Sequence, residues 1–197
     1  MKLINITTTT DPMGELHDVV DKKDKVIGTA TRKEFLIDHK LMRRSAHIWI
    51  RKADGKFWMQ QRSRTKDIQP LHWQCACSGF IKAGARTKKQ IMADAQRQLK
   101  EELGIKIALK LIKIIPMPNL SIGGIMVYWY MGSSDGPFRI NKQEIKNFKA
   151  HDLKQIWRLY RQKKIKLTEP FIWELKYYLK REIINLKIYA KRSNVRR

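Results

Sequence analysis

Acidic residues are scarce in this chain beside its basic ones. Eighteen aspartates and glutamates stand against 42 lysines and arginines in 197 residues, a formal charge of +24. Such a surface attracts polyanions such as nucleic acid, polyphosphates or acidic membranes, and it also suits a lysine-rich solubilising coat; charge alone names no partner. Cysteine is nearly missing as well, and Cys75 and Cys77 are too few for a disulfide framework. Two residues apart on an expected strand, they are expected to share one face as small buried side chains. A zinc site there needs two further ligands, and only His72 is near in sequence. Long apolar runs are also lacking. The longest, Ile125–Met131, falls far short of the ~20 residues of a membrane helix. Met1–Thr10 is polar and threonine-rich, without the apolar core of a secretion signal. These absences lead us to expect a soluble, cytoplasmic protein with no membrane partner. Its oligomeric state is left open.

What is present suffices for a core, since 43% of residues are hydrophobic. The length suits one domain plus an appendage. We expect a flexible segment over 1–14, a main domain over 15–165, and a basic C-terminal helix and tail over 166–197. LHDVVDKKDKVIG reads as two short strands about the turn Asp21–Asp24. Thr31 and Glu34 have capping-box spacing, which predicts a helix over 32–39. SAHIWIRKADGKFWMQQR reads as a hairpin turning at Asp54-Gly55. A loop through Pro70 leads to an apolar segment, Trp73–Cys77. From Thr87 to Leu103 the pattern is helical, and Gly104 supplies the stop. Ile105–Ile115 and Gly124–Met131 read as strands, followed by the turn SSDGP and a polar stretch around Glu144. Helices over 152–163 and 169–190 close the chain. Phe171, Ile172, Leu175, Leu179, Ile183 and Leu186 form the core stripe of the second. Strands flanked by helices at both ends predict an α/β protein with a mixed sheet between helical layers.

The chemistry lies in GFIKAGA (79–85) followed by RQLKEELGI (97–105). On a helix, position 98 lies three and four residues before Glu101 and Glu102, so the three can crowd one side. Neighbouring carboxylates repel. A hard cation with oxygen ligands relieves that, and Mg²⁺ bound by one or two carboxylates plus substrate phosphate is the usual arrangement. The simpler reading is a solvated acidic patch.

Taken together the two pieces resemble the Nudix box, G-x5-E-x7-R-E-U-x-E-E-x-G-U with U aliphatic. Gly79, Arg97, Leu99, Glu101, Glu102, Gly104 and Ile105 match. The upstream segments DVVDKKDKVIGTATRKEF and RRSAHIWIRKADGKFWMQQRSRTKD resemble the isopentenyl-diphosphate-isomerase-like branch, and the likeness covers about residues 16–150. It implies a Nudix α/β/α sandwich holding Mg²⁺ or Mn²⁺ on Glu101, Glu102 and Glu144, the last supplied from a loop after the final strand. It also implies catalytic roles for Gln98 and Arg97. Substrate contacts would come from Gly79, Phe80, Trp73 and Arg62, with Trp73, Phe80 and Trp129 as candidate stacking surfaces whose alternative role is core packing.

Three departures from the pattern bear on activity. Ala85 stands where the family has a glutamate that commonly orients Arg97. Eleven residues rather than seven separate Ala85 from Arg97, about one extra helical turn, so either the helix starts earlier or the loop bulges. Gln98 replaces the glutamate of "RE"; its carbonyl can face a cation but cannot take a proton. Isomerases of the branch carry a cysteine just before the box glycine and a histidine just after it, whereas this chain has Ser78 and Phe80. Isomerase chemistry is therefore ranked last. The leading expectation is a Mg²⁺-dependent hydrolase of a nucleoside diphosphate derivative. The alternative is a degenerate Nudix domain that binds RNA or a ribonucleoprotein through its basic surface.

Overall fold

The computed structural model describes residues 9–194, with side chains as far as Arg181. In chain order the elements are β1 (Leu16–Val20), β2 (Val26–Thr31), α1 (Arg32–Ile37), β3 (Met42–Arg51), β4 (Phe57–Arg62), β5 (Trp73–Cys75), β6 (Cys77–Phe80) and α2 (Lys88–Leu103). There follow β7 (Lys110–Met117), β8 (Gly124–Ser133), β9 (Ile145–His151), α3 (Leu153–Arg161) and α4 (Glu169–Asn194).

Local chemistry sets several of these boundaries. Thr31 caps α1, accepting from the Glu34 amide while the Glu34 carboxylate reaches back. Thr87 and Gln90 form the same reciprocal cap at α2, satisfying amides that a helix start leaves open. Gly104 ends α2 at φ 68°, a left-handed conformation that glycine adopts without steric cost. The helix is continuous for nine residues before Arg97, so it begins early and carries no internal bulge.

Strand β3 organises the sheet. It runs parallel to β8 along its whole length and antiparallel to β1, β4 and β6, so the sheet is mixed. Its side chains alternate. Ala46, Ile48 and Ile50 pack with Ile91, Ala95, Leu99 and Leu103 of α2. Trp49 packs on the other side with Leu153 and Ile156 of α3 and Phe171 and Leu175 of α4. Helices therefore cover both faces, as the sequence pattern predicts.

The ladder between β3 and β4 is short, pairing only Ile50 with Trp58 and Arg51 with Phe57. Beyond it the strands part. β4 continues with β5 and β9, while β3 continues with β6 and β8. The sheet splits into two wings, and the chain crosses between them at Ala76.

This crossing corrects one expectation. Cys75 and Cys77 are both buried and free, but they do not share a face: Cys75 joins the α4-side cluster and Cys77 the α2-side cluster. Residues 105–109 lie outside the ladder, and β7 begins at Lys110. Glu144 comes before the last strand rather than after it, because β9 follows directly. Residues 9–14, expected to be flexible, are tied in: Asp11 is buried, and its carboxylate accepts from the Asp67 amide. Ile183, Leu186 and the tail Lys191–Arg197 carry expectations that lie outside the described side chains.

Candidate active site

Where the wings part lies a cavity of about 410 Å³. Among its lining residues are Arg97, Gln98, Glu101 and Glu102 from α2, Ser78, Gly79 and Phe80 from β6, and Arg62 from the end of β4. The loop before β9 adds Asn141 and Glu144, and the N-terminal segment adds Asp11 and Glu15. Of the residues expected at the site, Trp73 and the candidate stacking residue Trp129 are outside this lining. Trp73 sits edge-on to His151 with its backbone bound to Lys166 and Thr168. Trp129 is buried against Trp49, with ring centroids 5.0 Å apart, so it offers no stacking surface.

The α2 side chains divide by position. Gln98 and Glu102, one turn apart, are buried facing inward. Glu101 is more than half exposed and is drawn to Arg97, 2.5 Å away. Arg97 also pairs with Asp94 at 2.7 Å. Acids on its own helix thus do the orienting work expected of a glutamate at position 85. Ala85 itself packs against the α2-side core.

Gln98 explains the box glycine. Its Nε2 donates to the Phe80 carbonyl at 3.2 Å and to Asp94 at 3.3 Å, while its Oε1 is buried without a hydrogen-bond partner. A Cβ on Gly79 would come within 2.8 Å of that amide. With Gln98 held there, any larger residue at 79 would force that side chain to shift.

Glu102 is the least comfortable acid in the cavity. Burial first, and the nearby charge of Glu144 second, raise its pKa to about 7 against relief from Gln60 and Lys66. Gln60 Nε2 donates to its Oε2 at 2.9 Å. The loop bearing Glu144 is anchored from both sides. Its Asn141 amide bonds the Glu102 carbonyl at 2.9 Å, and the Ser63 amide bonds the Glu144 carbonyl at 2.9 Å.

Cations surround these acids. Lys66 bridges Asp11 and Glu144, the latter at 2.7 Å. Burial works to raise the Asp11 pKa, but Lys66 and Arg32 overcome it and hold the carboxyl far below its usual range. Arg32 grips Asp67 through Nε at 2.6 Å and Asp11 at 3.0 Å. Arg62 gives its Nε to the Ile68 carbonyl at 2.8 Å, which leaves a guanidinium edge at the cavity wall. The Phe80 ring lies 3.5 Å beneath the buried Arg43 guanidinium, whose pKa burial lowers to about 9. Sequence patterns pointed to none of Asp11, Glu15, Arg32 or Lys66, because these converge from loops with no motif spacing.

The three acids expected to hold metal thus line one cavity, together with an unpartnered amide oxygen. All are hard oxygen donors, the type Mg²⁺ takes. They are not drawn into a closed ligand set. Among the described residues, the group with all its ligand atoms within 4.8 Å of one another is instead His47, Cys75 and Glu174.

A mixed sheet between helices, split over a cavity where a capped helix brings carboxylates among cations, defines an α/β protein with a charged cleft at the parting of its sheet. The NUDIX domain model matches residues 41–171, more than half of the chain, so the chain belongs to the Nudix family. An uncharacterized Nudix hydrolase of Pseudomonas aeruginosa is 33% identical over 94 residues, 48% of this chain and 53% of that protein. The chain thus spans about half the length of the curated relatives it matches. In fold it is similar to DR0079 of Deinococcus radiodurans, with TM-score 0.69, 18% identity, and coverage of 83% of this chain and 98% of that one. It is also similar to the NUDIX domain of Shewanella oneidensis NrtR, complexed with ADP ribose, with TM-score 0.54, 14% identity, and coverage of 70% and 86%.

Proposed function

We propose that this chain is a divalent-metal-dependent hydrolase that cleaves a diphosphate linkage in a nucleoside diphosphate derivative. One observation carries the reading: a desolvated Glu102, Glu144 and an unpartnered Gln98 oxygen share a cavity edged by Arg32, Arg62, Lys66, Lys82 and Arg97. A buried acid facing the charge of a half-buried one calls for a cation, and cations at the rim call for an anion. The ADP-ribose complex of the NrtR domain supports a nucleoside diphosphate as the substrate class.

Glu101, Glu102, Glu144 and the Gln98 carbonyl would hold Mg²⁺ or Mn²⁺, which when bound neutralises phosphate charge and lowers the pKa of its water. Gln98 cannot accept a proton, so Glu102 or Glu144 takes the proton from the attacking water. Arg62 and Arg97 meet charge developing on the phosphate oxygens. Isomerase chemistry is not proposed: where isomerases of that branch carry a histidine, Phe80 instead stacks beneath Arg43.

A screen of Mg²⁺ and Mn²⁺ against nucleoside diphosphate sugars, dinucleoside polyphosphates and capped RNA tests this reading. Metal-dependent release of a phosphorylated product is the expected result, and binding across the panel without turnover would replace it with the RNA-binding alternative. Gln98→Glu, which restores a proton acceptor, is expected to raise turnover.

A further inference from the structure

We propose that His47, Cys75 and Glu174 form a binding site for one borderline-soft divalent cation, such as Zn²⁺, separate from the carboxylates on α2. The three come from β3, β5 and α4, and their donor atoms lie within 4.8 Å of one another. All are buried: His47 is 6% exposed, Cys75 2% and Glu174 0%. One nitrogen, one thiolate sulfur and one carboxylate oxygen make a set that Zn²⁺ accepts and Mg²⁺ does not favour. Of the three, His47 also lines the cavity.

Charge supports the assignment. Glu174 has no exposure; hydrogen bonds from His47 and Trp49 offset its burial in the metal-free protein, and a divalent ion would add opposite charge to the same site. A divalent ion with one thiolate and one carboxylate is neutral overall. The outer shell is in place, since Trp49 Nε1 donates to the other Glu174 oxygen at 2.8 Å, the kind of contact that orients a ligating carboxylate. Without metal, His47 Nδ1 donates to Glu174, and Cys75 Sγ donates to the Cys77 carbonyl at 3.3 Å. On binding, the Cys75 proton leaves to solvent and the His47 proton moves from Nδ1 to Nε2. One proton is released per ion.

Titration of the EDTA-treated full chain with Co²⁺ reads this directly. The expected result is a thiolate-to-cobalt charge-transfer band that saturates at one equivalent and is erased by Zn²⁺. Cys75→Ser should remove the band, Cys77→Ser and Glu102→Gln should keep it, and Glu174→Gln should weaken Co²⁺ binding at least tenfold. A wild-type titration without a thiolate band overturns the site, as does a band that survives Cys75→Ser. The wild-type spectrum decides even where a variant does not fold. Because hydrolysis plays no part in the readout, the result is independent of the proposed activity.

Discussion

Glu102 and Glu174 are both buried carboxylates, carried by helices that cover opposite faces of the sheet. Glu174 has a donor on each oxygen, His47 on one and Trp49 on the other. Glu102 has Gln60 on one oxygen and faces the charge of Glu144, and its pKa rises to about 7. Similar burial thus yields one carboxylate matched by hydrogen bonds and one left in want of positive charge. In the metal-free protein those donors hold the Glu174 carboxylate in place, whereas Glu102 is desolvated in excess of its hydrogen bonding.

The most forceful way to break the contrast is to neutralise each acid in turn. Glu102→Gln is expected to lower metal-dependent turnover by about 10²–10⁴-fold, the usual range for loss of a proton acceptor, while the metal-free protein stays folded. Unchanged turnover on the substrate panel would remove Glu102 from the site. Glu174→Ala should act the other way. It strands the His47 Nδ1 and Trp49 Nε1 donors in the interior, a loss of about 3–5 kcal/mol by urea denaturation. A loss under 1 kcal/mol would mean Glu174 anchors nothing.

The pH dependence sharpens the same difference. A carboxyl whose folded pKa lies above its unfolded value holds its proton longer when folded. Folding is then favoured at low pH, and the benefit is lost as pH rises from the ordinary 4.5 to about 7. At about 1.4 kcal/mol per pH unit, the loss reaches about 3 kcal/mol across that window. Urea denaturation in EDTA should show the slope in wild type and a flatter one in Glu102→Gln. Parallel curves would mean that Glu102 titrates normally in the folded chain.

Much of the frame was legible in the sequence because it rests on local chemistry. Thr31 with Glu34, Asp54-Gly55 and Gly104 each determine a cap or turn within a few residues, and each holds in the structure. Strand β9 was not legible. IKNFKAH keeps only Ile145 buried and pairs with β4 alone, so an edge strand reads as polar loop. The box residues were visible as a motif, but the opposite wall was not. Asp11 and Lys66 meet across 55 positions, and His47 and Glu174 across 127. No periodicity records such pairings, and the break at Ala76 that turns the two cysteines to opposite sides depends on the parting of β3 from β4.

The smallest expected effect tests how Gln98 is held, and through it why the α2 face is left unsatisfied. Gly79→Ala places a methyl 2.8 Å from the Gln98 side-chain amide, closer than van der Waals contact allows. Gln98 can swing away at the cost of its bonds to Phe80 and Asp94, or β6 can shift from β3, where Gly79 pairs with Ala46. Either response costs about 1–3 kcal/mol, the range for overpacking. The double variant Gly79→Ala with Gln98→Ala removes the clash, so its loss of stability should fall short of the sum of the single losses by at least about 1 kcal/mol. Strictly additive losses would show that the two do not touch and that the box glycine is needed for another reason.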